Sequence, residues 1–123
     1  MFLRSTRLFA ASVGLLFLVT GCSAPIAKSD PNLAKTILVQ ALDAWKDGKT
    51  VQDLQSLKPP IYVSDDLWSK NLKLAEYKLL KEGDFHETSV RFSVQLKIGS
   101  EPKPRSVQYW VSTNPAYSIS LGE

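Results

Sequence analysis

The sequence has little that could carry side-chain catalysis or bind a metal. Its 123 residues include one cysteine and one histidine. A single cysteine excludes a disulfide within the chain, so packing alone must hold the fold together. These two residues are too few for a zinc site, and neither a glycine-rich phosphate loop nor a nucleophile elbow is present. We therefore predict no catalytic residues, no metal and no cofactor, and the length allows one domain.

A large excess of charge of either sign is also missing. The chain has 15 basic and 12 acidic residues, and no basic stripe is visible. Arg4 and Arg7 account for most of the excess, and without them 13 basic residues remain against 12 acidic ones. A nearly neutral chain without a basic stripe argues against nucleic acid as a partner.

The apolar run Leu8–Val19 is the longest in the chain and directly follows the two arginines. Crossing a bilayer takes roughly 20 apolar residues. Only 14 residues lie between Arg7 and Cys22, and the last two of them are Thr20 and Gly21. A short basic segment followed by a short apolar run is typical of a signal peptide. We predict that residues 1–21 direct export and are removed.

The segment Leu18-Val19-Thr20-Gly21-Cys22 resembles the lipobox of bacterial lipoproteins. The resemblance implies cleavage between Gly21 and Cys22 and attachment of a diacylglycerol to the Cys22 thiol, which explains the odd cysteine of an exported chain. The alternative is an incidental cysteine near an ordinary cleavage site. Acyl chains would hold the mature protein on a membrane. Ser23 stands where the family's inner-membrane retention signal has Asp, which favours the outer membrane if the host has two.

The mature chain is predicted to consist of a lipidated tether, residues 22–29, and one domain, residues 30–123. Asp30 is a suitable N-cap, and proline is favourable at the first helical position after it. Apolar residues over Pro31–Asp47 then recur with helical spacing along about half of the helix surface. This pattern predicts an amphipathic helix.

Two shorter helical segments follow. Thr50 and Asp53 have the spacing of a capping box for a helix over Val51–Leu57. Ser64 is expected to cap a further short turn that includes Trp68.

After Asn71 the apolar period changes from 3.6 residues to two. The predicted strands are Leu74–Lys81, Thr88–Ile98, Arg105–Ser112 and a last one marked by Tyr117, Ile119 and Leu121, with a turn at Glu82–Asp84. Such strands predict a meandering antiparallel sheet with one apolar face, which the helix must cover. The predicted fold class is α+β, a long N-terminal helix packed on a curved antiparallel sheet of about four strands.

The helix end Ala41–Lys49 (ALDAWKDGK), a second short helix and then the sheet resemble the nuclear-transport-factor-2-like superfamily, which includes ketosteroid isomerases. The cystatin-like folds are a close competitor. The resemblance covers residues 31–121 and implies a cone-shaped helix-on-sheet fold. The isomerase branch uses an Asp base with a Tyr and a protonated Asp in an apolar pocket. No aspartate of this chain lies on a predicted apolar strand face, so no catalytic residue can be carried over.

Two sets of residues are candidates for binding. The first is a pocket between helix and sheet lined by Trp45, Tyr77, Tyr109 and Tyr117; the alternative is that these are core aromatics. The second is an interface on the outward sheet face made by Trp110, Arg91, Gln95 and Lys97. Members of the resembled family often pair through this face, which implies a homodimer. The alternative is a singly exposed ring.

These patterns favour a non-enzymatic binding or protein-interaction module displayed on a lipid anchor at the cell envelope. One rival is a small-ligand carrier or isomerase-like enzyme with a pocket between helix and sheet. The other is a purely structural envelope protein. The lone histidine, His86, follows the predicted turn and is expected to be solvated.

Overall fold

Helix α1 spans Pro31–Lys46 in the computed structural model, which describes residues 27–122 of the chain. The Asp30 side chain accepts hydrogen bonds from the backbone N–H groups of Asn32 and Leu33, which satisfies two donors that a helix start leaves free. The predicted apolar stripe is buried: Ala34, Ile37, Leu38, Ala41, Leu42, Ala44 and Trp45. The helix ends one residue before the predicted Asp47.

Two short helices follow α1. Helix α2 spans Val51–Gln55 and begins with the predicted Thr50–Asp53 capping box, in which both reciprocal hydrogen bonds are present. Helix α3 spans Asp66–Ser69, and its N-cap is Asp65 rather than the predicted Ser64. The three helical segments follow the predicted order, but the predicted architecture of a long N-terminal helix on about four strands is not matched.

The sheet has six strands, so the prediction of about four is wrong. They are β1 (Ile61–Ser64), β2 (Leu74–Leu79), β3 (Asp84–His86), β4 (Ser89–Ile98), β5 (Arg105–Ser112) and β6 (Tyr117–Gly122). The sequence missed β1 because four residues after a double proline show too little alternation to predict a strand. It also missed β3, which begins at Asp84, the last residue of the predicted turn.

The strand order is β1-β6-β5-β4-β2, with β3 also paired to β4. Strands β2 and β3 pair with different stretches of β4 and follow one another along one edge. Strand β1 runs parallel to β6, so the sheet is mixed rather than antiparallel as predicted. The sheet curls into a half-barrel, and the general α+β class of the prediction is confirmed.

Strand β4 shows how the two faces of the sheet differ. Its residues alternate between buried and half-buried along the whole strand, with Val90, Phe92, Val94, Leu96 and Ile98 facing the core as predicted. The inward residues of β4 join the α1 stripe in one hydrophobic cluster. The opposite face is covered by no helix of the described chain, and its side chains remain partly accessible to solvent.

A segment near the start of the described residues is bound to the end of the sheet. We call it the N-terminal clamp (Lys28–Asp30 bound to Thr88, Thr113 and Asn114). Its hydrogen bonds are Ser29 N to Thr88 O (2.9 Å), Thr113 N to Ser29 Oγ (2.9 Å), Asp30 N to Thr113 Oγ1 (3.0 Å) and Asn114 Nδ2 to Lys28 O (3.1 Å). Ser29 is 2% exposed. The last residues of the predicted tether therefore belong to the folded domain.

The predicted signal peptide, the cleavage site at Gly21 and the lipidated Cys22 lie outside the described residues. Within residues 27–122, no helix is both long enough and apolar enough to cross a membrane.

Candidate functional site

The outward face of the sheet carries an aromatic and basic cluster around Trp110. Trp110 of β5 lies directly opposite Arg91 of β4. The His86 ring meets the indole edge-on, with 5.6 Å between ring centroids. On its other side the indole covers the backbone of Gly122, where a Cβ atom would overlap the ring. Residues of β3 and β6, which lie on opposite sides of β5, therefore hold the half-buried indole in place.

An ion pair orients the arginine of this cluster. The Arg91 guanidinium lies 2.9 Å from the Asp84 carboxylate, across the β3–β4 pairing. Its hydrogen bond and charge hold the pKa of Asp84 below its ordinary value. An exposed pair of this kind adds little stability, so its main consequence is the position of the guanidinium beside Trp110. We call Asp84, His86, Arg91 and Trp110 the Trp110 cluster.

The other two predicted interface residues, Gln95 and Lys97, lie further along the same face of β4. Six residues of a strand separate Arg91 from Lys97, or about 20 Å. Lys97 donates to the backbone oxygen of Glu101, and Gln95 and Lys97 border a shallow groove of about 370 Å³. The four predicted residues thus share one face, but the structure brings only Trp110 and Arg91 into one cluster.

The four aromatic residues of the predicted pocket do not line a common cavity in the described chain. Trp45 is 3% exposed, and Tyr109 is 1% exposed. The Tyr77 hydroxyl donates to Asp43 Oδ1 of α1 at 2.7 Å, and burial together with this carboxylate raises the pKa of Tyr77 to about 12. Tyr117 is half-buried at the start of β6, opposite Ile61 of β1.

Trp45 instead stacks on Trp68, with 5.3 Å between ring centroids and 9° between planes. Both indole N–H groups donate to backbone oxygens, Trp45 to Leu72 at 2.8 Å and Trp68 to Lys49 at 3.0 Å. Beside this pair lies a surface groove of about 290 Å³, which we call the indole groove. Its other lining residues are Gly48, Lys49, Thr50, Val51, Gln52, Ser69, Asn71, Leu72 and Lys73.

The carboxylate of Asp65 is buried under the sheet, although the hydrophobic pattern of the sequence does not reveal it. Asp65 is 2% exposed, and its Oδ2 accepts a 2.6 Å hydrogen bond from the Tyr109 hydroxyl. Its Oδ1 accepts from the N–H groups of Leu67 and Trp68 at the start of α3. Burial raises the pKa of Asp65, although these hydrogen bonds oppose the shift. Both oxygens have partners and the pair borders neither groove, which favours a structural role.

Asp65→Ala is expected to destabilise the domain by roughly 2–4 kcal/mol, because it removes the α3 cap and leaves the buried Tyr109 hydroxyl without its acceptor. Asp65→Asn is the matched control. Its amide oxygen keeps the cap and its neutral side chain removes the buried charge, so the expected loss is much smaller. Urea denaturation at pH 7 measures both variants. Equal losses would contradict this role for the carboxylate.

The raised pKa of Asp65 gives a second readout of the same comparison. The folded protein holds this proton more tightly than the unfolded chain, so protonation stabilises the fold. That stabilisation is present at low pH and is lost as the pH rises through the folded pKa, which lies above 3.8. Wild type should therefore gain stability relative to Asp65→Asn as the pH falls from 7 toward the raised pKa.

The sequence did not reveal the roles of Asp65 and Trp68, which form the buried hydrogen-bond network and the indole stack. It also did not reveal the contact of His86 with Trp110. The hydrophobic pattern does not reveal a buried cap residue, because aspartate is a normal N-cap on exposed helices as well. The His86–Trp110 contact depends on the register of β3, β4 and β5. The predicted turn at Glu82–Asp84 hid the strand that carries His86.

Residues 27–122 contain no group of three or more histidine, cysteine or acidic side chains placed to hold a metal ion. Comparison of the whole chain with protein-family models and with curated proteins finds no match.

Proposed function

We propose that this protein is a lipid-anchored component of the cell envelope whose α+β domain binds a protein partner through the outward face of its sheet. The lipobox-like segment that ends at Cys22 supports the anchor, and Ser23 after it favours the outer membrane if the host has two membranes. The Trp110 cluster carries the proposed interaction. A second copy of the chain is the simplest partner, and another envelope protein is the alternative.

The physical case for this face is that its anchor residues are already held in place. Tryptophan and arginine are common anchors of protein interfaces. Asp84 fixes the Arg91 guanidinium, while His86 and Gly122 bracket the indole of Trp110. Side chains that are ordered before binding lose less conformational entropy when the partner arrives. The cluster also lies on a face that no described helix covers.

The fold supports this reading at the level of architecture. We propose that the domain is a nuclear-transport-factor-2-like or ketosteroid-isomerase-like unit, because a helix, a short helix and a curled sheet follow in the order of that superfamily. The cystatin-like folds remain the alternative. Pairing of two copies through the sheet face is what this resemblance implies, whereas fold alone does not determine function.

Photo-crosslinking in intact envelopes tests the interaction. A photoreactive amino acid at position 110 should give a crosslinked product, and one at the exposed Gln40 of α1 serves as the control. A product of twice the monomer mass would identify the homodimer. Light scattering of the detergent-solubilised protein with and without Trp110→Ser should then show the dimer and its loss. A crosslink no stronger at position 110 than at position 40 would contradict the proposed interface.

A small-ligand carrier is the second candidate, and the indole groove favours it. The groove has a mixed polar and apolar lining, and Lys49 and Lys73 lie at its border. The test is whether a ligand protects the protein from proteolysis or raises its melting temperature. An effect that Lys73→Ala abolishes and Trp110→Ser preserves would favour the groove over the sheet face.

A further inference from the structure

The apolar side chains around the N-terminal clamp form an exposed surface at one end of the domain. Phe85 is 48% exposed, and the Lys28 ammonium lies 5.1 Å from the centroid of its ring. Lys28 is also bound through its carbonyl oxygen to Asn114, and the next two residues, Pro115 and Ala116, are exposed in the β5–β6 turn. We call this surface, with Phe85, Pro115, Ala116 and Lys28, the clamp end.

Two of the carboxylates beside the clamp end are paired with cations, and a third acid, Glu87, is exposed next to Thr88. Asp84, which precedes Phe85, pairs with Arg91, and Glu82 lies 3.7 Å from Lys35 of α1. Lys28 is placed over an aromatic ring instead of a carboxylate. A surface with an exposed phenylalanine and a cation suits the boundary between lipid headgroups and acyl chains, where aromatic and basic side chains are favourable.

The chain length between the proposed anchor and the clamp limits how far the clamp can lie from the membrane. Six Cα-to-Cα steps separate Cys22 from Lys28, and a fully extended chain spans at most about 20 Å over that length. A domain of about one hundred residues is roughly 33 Å across, judged from its expected radius of gyration. The lipid anchor therefore keeps the clamp within about 20 Å of the membrane, a distance shorter than the width of the domain.

We infer that the clamp end is a membrane-contacting surface, with Phe85 inserted at the bilayer interface and Lys28 at the headgroups. This inference rests on the proposed lipid anchor at Cys22. Helix α1 starts at the clamp and extends about 21 Å before it reaches Trp45 and the indole groove. The clamp end thus orients the domain so that the indole groove faces away from the membrane.

Spin labelling of the lipidated full-length product tests the orientation. Single cysteines replace Thr88 or Ala116 at the clamp end, and Gln52 in the indole groove is the matched distal site. In vesicles of phosphatidylethanolamine and phosphatidylglycerol, a nickel chelate attached to lipid headgroups should relax the labels at 88 and 116 strongly and the label at 52 weakly. Phe85→Ser should lower the ratio of docked to undocked protein roughly fivefold, which corresponds to half of the transfer free energy of a buried phenylalanine. Phe85→Leu should preserve it.

The outcomes separate this inference from the proposed anchor. Mass spectrometry first shows whether the Cys22 sulfur carries lipid or instead takes up the spin label. A lipidated protein with equal relaxation at positions 88, 116 and 52, or with no response to Phe85→Ser, would overturn the membrane-contacting surface and leave the anchor intact. A free Cys22 thiol would overturn both. Circular dichroism of Phe85→Ser checks that the exposed substitution leaves the fold unchanged.

Discussion

Trp45→Ala should lower the free energy of unfolding by about 3–5 kcal/mol, the usual range for removal of a buried tryptophan. The indole is 3% exposed, stacks on Trp68 and donates to the backbone oxygen of Leu72. Alanine therefore removes packing and leaves the partly buried Leu72 carbonyl without its donor. A domain of this size has about 5–15 kcal/mol of stability in total, so much of the variant should be unfolded at growth temperature.

Thermal unfolding measures this effect, with Lys46→Ala as the matched control. Lys46 is the next residue on α1, and its ammonium lies 3.7 Å from exposed Glu76, so its replacement should change stability by less than about 0.5 kcal/mol. A loss of 3 kcal/mol corresponds to a fall in melting temperature of roughly 12–24 °C. A melting temperature within a few degrees of wild type would show that the stacked indoles do not hold α1 to the α3–β2 segment.

Cys22→Ser should abolish lipid attachment altogether and leave an uncleaved, mislocalised precursor. Serine keeps the size of the side chain but lacks the nucleophilicity of a thiolate, which the acyl transfer needs. Metabolic labelling with a clickable fatty acid follows the modification, and membrane fractionation follows the location. The expected result is complete loss of label.

Ser23→Ala is the matched control for this experiment, because it changes the adjacent hydroxyl and leaves the thiol in place. It should retain the label. Label on Cys22→Ser would contradict lipidation at this cysteine. Loss of label in both variants would point to a broader requirement of the segment after the cleavage site.

The candidate site could be predicted only in part. Strand alternation tells on which face of the sheet a side chain lies but not which residues lie beside it. The spacing of Val107, Tyr109 and Val111 placed Trp110 on the opposite, outward face, where the structure also has it. Its contact with His86 required β3, which was predicted as a turn. The predicted pocket is absent from the described residues for a related reason. Trp45 and the three tyrosines face the core, but they contact different residues and do not line one cavity.

Local chemistry determined several elements from the sequence alone. Asp30 caps α1 through hydrogen bonds to residues two and three positions away, and the α1 stripe repeats with the helical period. The Thr50–Asp53 capping box and the alternation of β4 are equally local, since each depends on residues a few positions apart. Such interactions form wherever the rest of the chain lies, so reading the sequence was sufficient for them.

The tertiary structure decided everything that joins distant residues. The parallel pairing of Ile61 with Tyr117, the hydrogen bond between Asp65 and Tyr109 and the clamp between Ser29 and Thr113 link positions 44 to 84 residues apart. The spacing of apolar residues tells which side of an element is buried but not which strand lies beside it or in what register. The curvature and register of the whole sheet determine which residues meet. They therefore also determine the burial of Asp65 and the environment of Trp110.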